Sequence, residues 1–272
     1  MEKIRKGVSA LKLCFSTLGC VDYDLSAVLG LCRKYGIGAV ELRGVGGELD
    51  FRRMPDFLPG RIGATRERFA AAGVTPLVLG SSCAFHDVEK RDATLAEGVA
   101  VMRTAAALGA MGVRVFGNRA VGEHPAVPVI GGIEALLSAT PETNVSVLLE
   151  VHGDFNTVPA LSPILEHFKN EPRFGLIWDI AHSHPTYGER WPVFYEAIAP
   201  FIRHVHIKDA RGDRLTLPGE GELPIVPIVR RLLADGYDGA FSLEWEKKWH
   251  PELPPVEQAL VAFATLMIKA LD

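Results

Sequence analysis

The sequence predicts an α/β fold, a single closed (β/α)8 barrel, from three observations. Short apolar runs and longer helical patterns alternate eight times along the chain. The apolar runs are mostly continuous rather than alternating, as expected of strands covered on both faces of a parallel sheet. The length of 272 residues lies near the usual size of one such barrel. No repeat and no low-complexity tract divides the chain, so one barrel domain over residues 1–272 is expected.

The expected strands, in order, are LKLCFS (11–16), GAVEL (38–42), TPLVLG (75–80), VRVFG (113–117), VSVLLE (145–150), FGLIWD (174–179), IRHVHI (202–207) and AFSLEW (240–245). Helical patterns follow them or lie between them at 24–35, 60–72, 91–110, 130–139, 159–168, 191–199, 225–235 and 256–270. Several end in a glycine stop, as at Tyr35-Gly36, Ala72-Gly73 and Asp235-Gly236. A doubly wound open sheet would carry a glycine-rich phosphate loop after its first strand. STLGCVDYD follows here instead, without G-x-G-x-x-G.

Composition narrows the function classes. The chain is 48% hydrophobic and 23% charged, an ordinary globular balance, and its formal charge of −4 argues against a nucleic-acid partner. The four cysteines form no Cys-x-x-Cys pair and all fall in the first third, which argues against a zinc ribbon or disulfide framework and favours a reducing cytoplasmic location. The basic, apolar start resembles a signal peptide, but Lys12 interrupts its apolar run and no small-residue cleavage site follows, so a first strand is expected. No run approaches the roughly 18 apolar residues of a membrane span.

In a barrel of this kind, chemistry sits at the carboxyl ends of the strands. There the second half of the chain places Glu150 on strand five, Asp179 with His182 and His184 on strand six, His204, His206 and Lys208 on strand seven, and Glu244 and Glu246 on strand eight. One such carboxylate alone would read as a helix cap or a surface ion pair. Four consecutive strand ends, spaced by about 4.8 Å, must share one volume. Three carboxylates crowded there would raise one another's pKa unless a cation joins them. Three carboxylates and an imidazole suit manganese or magnesium, and zinc or cobalt is also compatible. His204, His206 and Lys208 alternate and face one side. That places His206 at mouth level, Lys208 at the rim and His204 a layer deeper as a hydrogen-bonded support.

With LLEVHGDF, WDIAHSH, HVHIKD, PGEGELP and SLEWE in this order, the chain resembles the xylose isomerase-like barrel superfamily of sugar and sugar-phosphate isomerases and epimerases. The resemblance runs from GAVELRG to WEKKWHPE. It implies that Glu150, Asp179, His206 and Glu244 bind one divalent metal, and that Glu150 and Glu244 also exchange a proton at the substrate carbon. His182 matches a position that usually contacts substrate or metal. His152 and Lys208 are further candidates for substrate hydroxyls and for negative charge, respectively. A metal bridging the carbonyl and hydroxyl of a ketose acidifies the C–H and stabilises the enediolate; two glutamates then remove and return the proton. The substrate expected is a polyol, ketose, sugar phosphate or hydroxy-keto compound. Barrels of this type often form dimers or tetramers.

Four weaker features have bland explanations. Glu41 and Arg43 read as a structural ion pair at the rim, His86 as an exposed loop residue, and His152 equally as a support for a ligand. Trp249 could stack on a sugar, but packing against a loop is the commoner fate. Competing functions on the same scaffold are a lyase that dehydrates an inosose or dehydroshikimate-type compound, an endonuclease IV-type repair enzyme, and an inactive binding module. The repair enzyme would need additional histidines on the earlier strands, and VFGNRAVG supplies none.

Overall fold

The structure, a computed structural model, describes residues 11–271; the basic start at 1–10 lies outside them. The eight expected strands form a closed parallel barrel: β1 (Leu13–Ser16), β2 (Ala39–Leu42), β3 (Thr75–Ala84), β4 (Gly112–Phe116), β5 (Ser146–Glu150), β6 (Phe174–Asp179), β7 (Ile202–Ile207) and β8 (Phe241–Leu243). Neighbours in sequence are neighbours in space, and β1 pairs with β8 to close the ring. The strand lying between two partners on each side has no edge to protect, which explains the continuous apolar runs.

The helices are α1 (Leu25–Tyr35), α2 (Ile62–Ala72), α3 (Arg91–Leu108), α4 (Ala126–Ala139), α5 (Val158–Phe168), α6 (Ile180–Tyr187), α7 (Trp191–Ile198), α8 (Ile225–Ala234) and α9 (Val256–Lys269). Two insertions were not expected from the sequence. Helix α6 lacks an apolar stripe, because IAHSHPTY alternates small and polar residues; the Asp179 cap starts it and Gly188 ends it. A short antiparallel hairpin, Asp209–Arg211 with Arg214–Thr216, follows β7. Helix α4 begins four residues before the expected 130, and β8 stops short of Glu244.

The main core joins the outer faces of the strands to the helices. Trp178 on β6 is representative: its ring stacks on Tyr195 of α7 at 5.7 Å, and its Nε1–H donates to Ser183 Oγ at 3.0 Å. Two small apolar groups, Cys14 with Ala39 and Ala240, and Val78 with Leu148 and Ile177, lie apart from that core. They come from alternate positions on the strands that face the lumen and fill the barrel below the mouth, as layered barrel interiors do. All four cysteines are buried, and burial pushes the thiols of Cys20, Cys32 and Cys83 up to about 12.

Candidate metal centre and substrate pocket

The register of the barrel brings the ligand-type side chains together. Asp179 is level with His206 across β6–β7, His206 with Ser242 across β7–β8, and Glu150 ends β5 beside Ile177. Glu244 lies one residue past β8, where its N–H continues the pairing by donating to the Ile207 carbonyl at 3.0 Å. One atom from each of Glu150, Asp179, His206 and Glu244 lies within 4.8 Å of the others, and all four residues are buried. His206 Nδ1 is 3.4 Å from Glu244, 3.5 Å from Glu150 and 3.9 Å from Asp179, and it has no hydrogen-bond partner.

Asp179 does two jobs. Its Oδ1 caps α6, accepting from the N–H of Ala181 at 2.8 Å and of His182 at 3.3 Å, while Oδ2 faces the cluster. The cap therefore fixes the rotamer of a carboxylate that also belongs to the site.

Two cations partly offset the charge of the carboxylates. Lys208 Nζ is 2.8 Å from Asp179 and 2.6 Å from Glu244, and it also bonds Glu246. Arg114 Nε is 3.3 Å from Glu150, and its Nη1 is 3.4 Å from Glu244. Burial opposes ionisation of Glu244, but Lys208 and His206 overcome it and hold the carboxyl well below the usual range. Burial raises Asp179 to about 6 against the pull of Lys208. Burial also works against a charged His206, yet Glu41 and Glu244 hold its pKa well above the ordinary imidazole value.

The donor set fits a hard divalent cation. It offers three buried carboxylates and an imidazole nitrogen with no partner, the mixture preferred by manganese or magnesium and accepted by zinc. The geometry also identifies the imidazole nitrogen that could serve. Glu41 lies across the lumen and accepts from His206 Nε2 at 2.8 Å and His204 Nε2 at 3.0 Å. The raised pKa means that Nδ1 carries a proton beside the carboxylates; a cation that displaced it would meet the Nδ1 lone pair, with Nε2 still donating to Glu41.

The mouth above the cluster is a cavity of about 180 Å³, lined by Arg43, Arg114, His152, His182, Lys208 and Trp249 among others. His152 packs between the rings of Phe116, at 4.9 Å, and His182, at 4.3 Å. Gly153, at φ +59°, turns the chain away directly after His152, a conformation that glycine adopts without strain. Burial, and then Lys208, lower His182 to about 4, and burial lowers His152, so both imidazoles are neutral. Asp209 accepts from the N–H groups of Gly219 at 2.8 Å, Gly221 at 3.0 Å and Leu223 at 3.2 Å. That carboxylate ties the PGEGELP loop to the end of β7.

Three sequence expectations need correction. Glu41 and Arg43 do not pair. Both point inward, but they stand two residues apart, so Glu41 lies at the level of the histidines and Arg43 one level higher. Arg43 donates instead to the Leu49 carbonyl and Ser82 Oγ. Lys208 is buried rather than at the rim, because three carboxylates enclose it. Trp249 is 55% exposed over the cavity rather than packed under a loop. Arg114 was missed altogether. Its signal was present in GVRVF, where a lone arginine interrupts an apolar strand on the face that also carries Gly112.

The likeness to known proteins extends along the chain. A structure of the IOLI protein with a bound zinc atom superposes with a TM-score of 0.77 at 20% identity, covering 96% of this chain and 98% of that one. The probable 3-DHS dehydratase AsbF of Bacillus anthracis gives 0.77 at 15% identity over 96% and 99%. The 3-keto-D-glucoside 4-epimerase YcjR of E. coli gives 0.70 at 17% identity over 94% and 98%. At such identities the likeness is one of fold. No curated protein matches the sequence. Among the described residues, no helix is long and apolar enough to cross a membrane. The model of the xylose isomerase-like TIM barrel matches residues 29–266, most of the chain, and the protein belongs to that family.

Proposed function

We propose that the protein is a divalent-metal-dependent isomerase or epimerase of a small ketose, sugar phosphate or related hydroxy-keto compound. The observation that carries this reading is the convergence of Glu150, Asp179, His206 Nδ1 and Glu244 within 4.8 Å, all buried, with Glu150 and Glu244 lining a cavity. A metal held by these four, manganese or magnesium by the chemistry of the donors and zinc or cobalt as alternatives, would supply a Lewis acid that acidifies the C–H beside a carbonyl. Asp179 and His206 act as anchors, oriented by the α6 cap and by Glu41.

Glu150 and Glu244 approach the cavity from opposite sides of His206 and are suited to act on opposite faces of one substrate carbon. One carboxylate removes the proton. Return to the same carbon from the other side epimerises it; return to the neighbouring carbon isomerises aldose and ketose. His152 and His182, both neutral, can donate to or accept from substrate hydroxyls. Lys208, which also bonds Glu246, would hold negative charge that develops on the substrate oxygen.

The test incubates manganese-loaded protein with a panel of ketoses, keto-inositols and hydroxy-keto acids in deuterated water. Deuterium at a carbon next to the carbonyl is expected for the true substrate. Loss of a β-hydroxyl instead would assign the barrel to dehydration. Protein purified without chelator that carries no metal, and whose stability ignores added manganese, would defeat both readings.

A further inference from the structure

The proton-transfer reading uses the acidic half of the pocket and gives the basic half no task. Arg43, just past β2, and Arg114, in the middle of β4, both line the cavity and are only 6% and 3% exposed. Gly80 of β3 lies between them, in register with Arg114. A Cβ on Gly80 would stand 2.7 Å from Arg43 Cδ and 3.3 Å from Arg114 Nη2. The missing side chain is what lets both arginines occupy the mouth.

Their partners are unequal. Arg114 shares Glu150 and Glu244, and its guanidinium lies over the Phe116 ring at 4.4 Å, which fixes its plane. Arg43 has a carbonyl and a hydroxyl only, and no described carboxylate forms an ion pair with it. Burial and the neighbouring Arg114 pull Arg43 down to about 10 against the attraction of Glu97, Glu244 and Glu41, none of which reaches ion-pair distance, and Arg43 stays cationic at neutral pH. A buried guanidinium facing another one is costly without a counter-ion. Arg114 can be explained as an internal counter-ion of the glutamates; Arg43 cannot.

From this arrangement we infer that Arg43 and Arg114 form an oxyanion subsite, so that the substrate carries a carboxylate or phosphate group. The inference rests on the proposed function for the adjoining hydroxy-ketone, which lies against Glu150 and Glu244, the glutamates that Arg114 also touches. Two forked guanidiniums match the two oxygens of such a group. The cavity of about 180 Å³ limits the substrate to a small one. A neutral sugar would leave Arg43 desolvated against a hydroxyl.

Three ketones of related skeleton decide the matter by calorimetric titration of manganese-loaded protein: dihydroxyacetone, hydroxypyruvate and dihydroxyacetone phosphate. At least one charged ketone is expected to bind about tenfold or more tighter than dihydroxyacetone, a gap typical of a charge-assisted contact; the tighter of the two names the oxyanion. Arg43→Met is expected to erase that preference while leaving manganese affinity, titrated separately, unchanged. Arg43→Lys, which keeps the charge and loses the fork, should fold if Arg43→Met does not and should weaken the preference. Equal binding of all three ketones, or a full preference in both variants, overturns the inference. Protein that takes up no manganese defeats the metal reading alone. In that case, thermal protection of the metal-free protein by hydroxypyruvate or inorganic phosphate, lost in the Arg43 variants, supports the subsite, and absence of protection overturns it.

Discussion

Strands β5 to β8 each deliver a carboxylate or an imidazole to the mouth, whereas β2 to β4 deliver two guanidiniums with a glycine between them. Both halves place charge where the barrel excludes water, and each half is incomplete in its own way. The acidic half has more carboxylates than its own cations suit, with a nitrogen left unpartnered. The basic half has a guanidinium, Arg43, with which no described carboxylate forms an ion pair. The contrast teaches that excess charge at one mouth has a direction. On the proposed reading a metal cation answers one side and a substrate anion the other, and a substrate spanning both would be oriented before any chemistry begins.

The strongest test of that contrast is in the acidic half. Glu150→Gln and Glu244→Gln should each lower turnover by about 10²–10⁴-fold, the range of a lost general acid or base, with unchanged circular dichroism. Wild-type activity in either would remove the proposed proton carriers and leave the two halves chemically equivalent. Trp178→Ala should destabilise the fold by about 3–5 kcal/mol, because the ring is fully buried and stacked on Tyr195. Denaturant titration reads this directly. A loss below about 1 kcal/mol would mean that β6 is not anchored through α7.

Smaller effects refine the picture. Glu41→Gln keeps the shape of the lumen but weakens the acceptor for His206 Nε2. Metal affinity is expected to fall about 10–100-fold, as for other carboxylate supports of a ligating histidine. An unchanged dissociation constant would show that His206 needs no orienting partner. The least change in stability is expected for Trp249→Ala, within about 0.5 kcal/mol for a surface position, since the side chain is 55% exposed. Its effect should appear in KM rather than in the melting curve, and a shifted melting curve would place the ring in the fold instead of over the pocket.

Much of the site was legible because barrel strands are short and their ends are ordered. An acidic residue closing LLE, IWD or SLE can only lie at the mouth, and the order of strands in sequence is their order around the ring. His204 was rightly placed a layer below His206, because alternation along a strand fixes depth as well as face. The partner of Glu41 was not legible. Its histidines sit on β7, on the far side of the lumen, and no spacing along the chain encodes a contact across it.

The sequence by itself therefore determined the closed parallel barrel and the inventory of strand-end groups, since periodicity and strand order depend on local residues. Tertiary structure alone decided who meets whom inside the ring. It set Lys208 among three carboxylates, turned Glu41 away from Arg43, and used the empty space at Gly80 to bring Arg43 and Arg114 to one wall. The physical reason is that contacts across a lumen depend on barrel closure, depth and side-chain length together, and those are properties of the assembled ring rather than of any one strand.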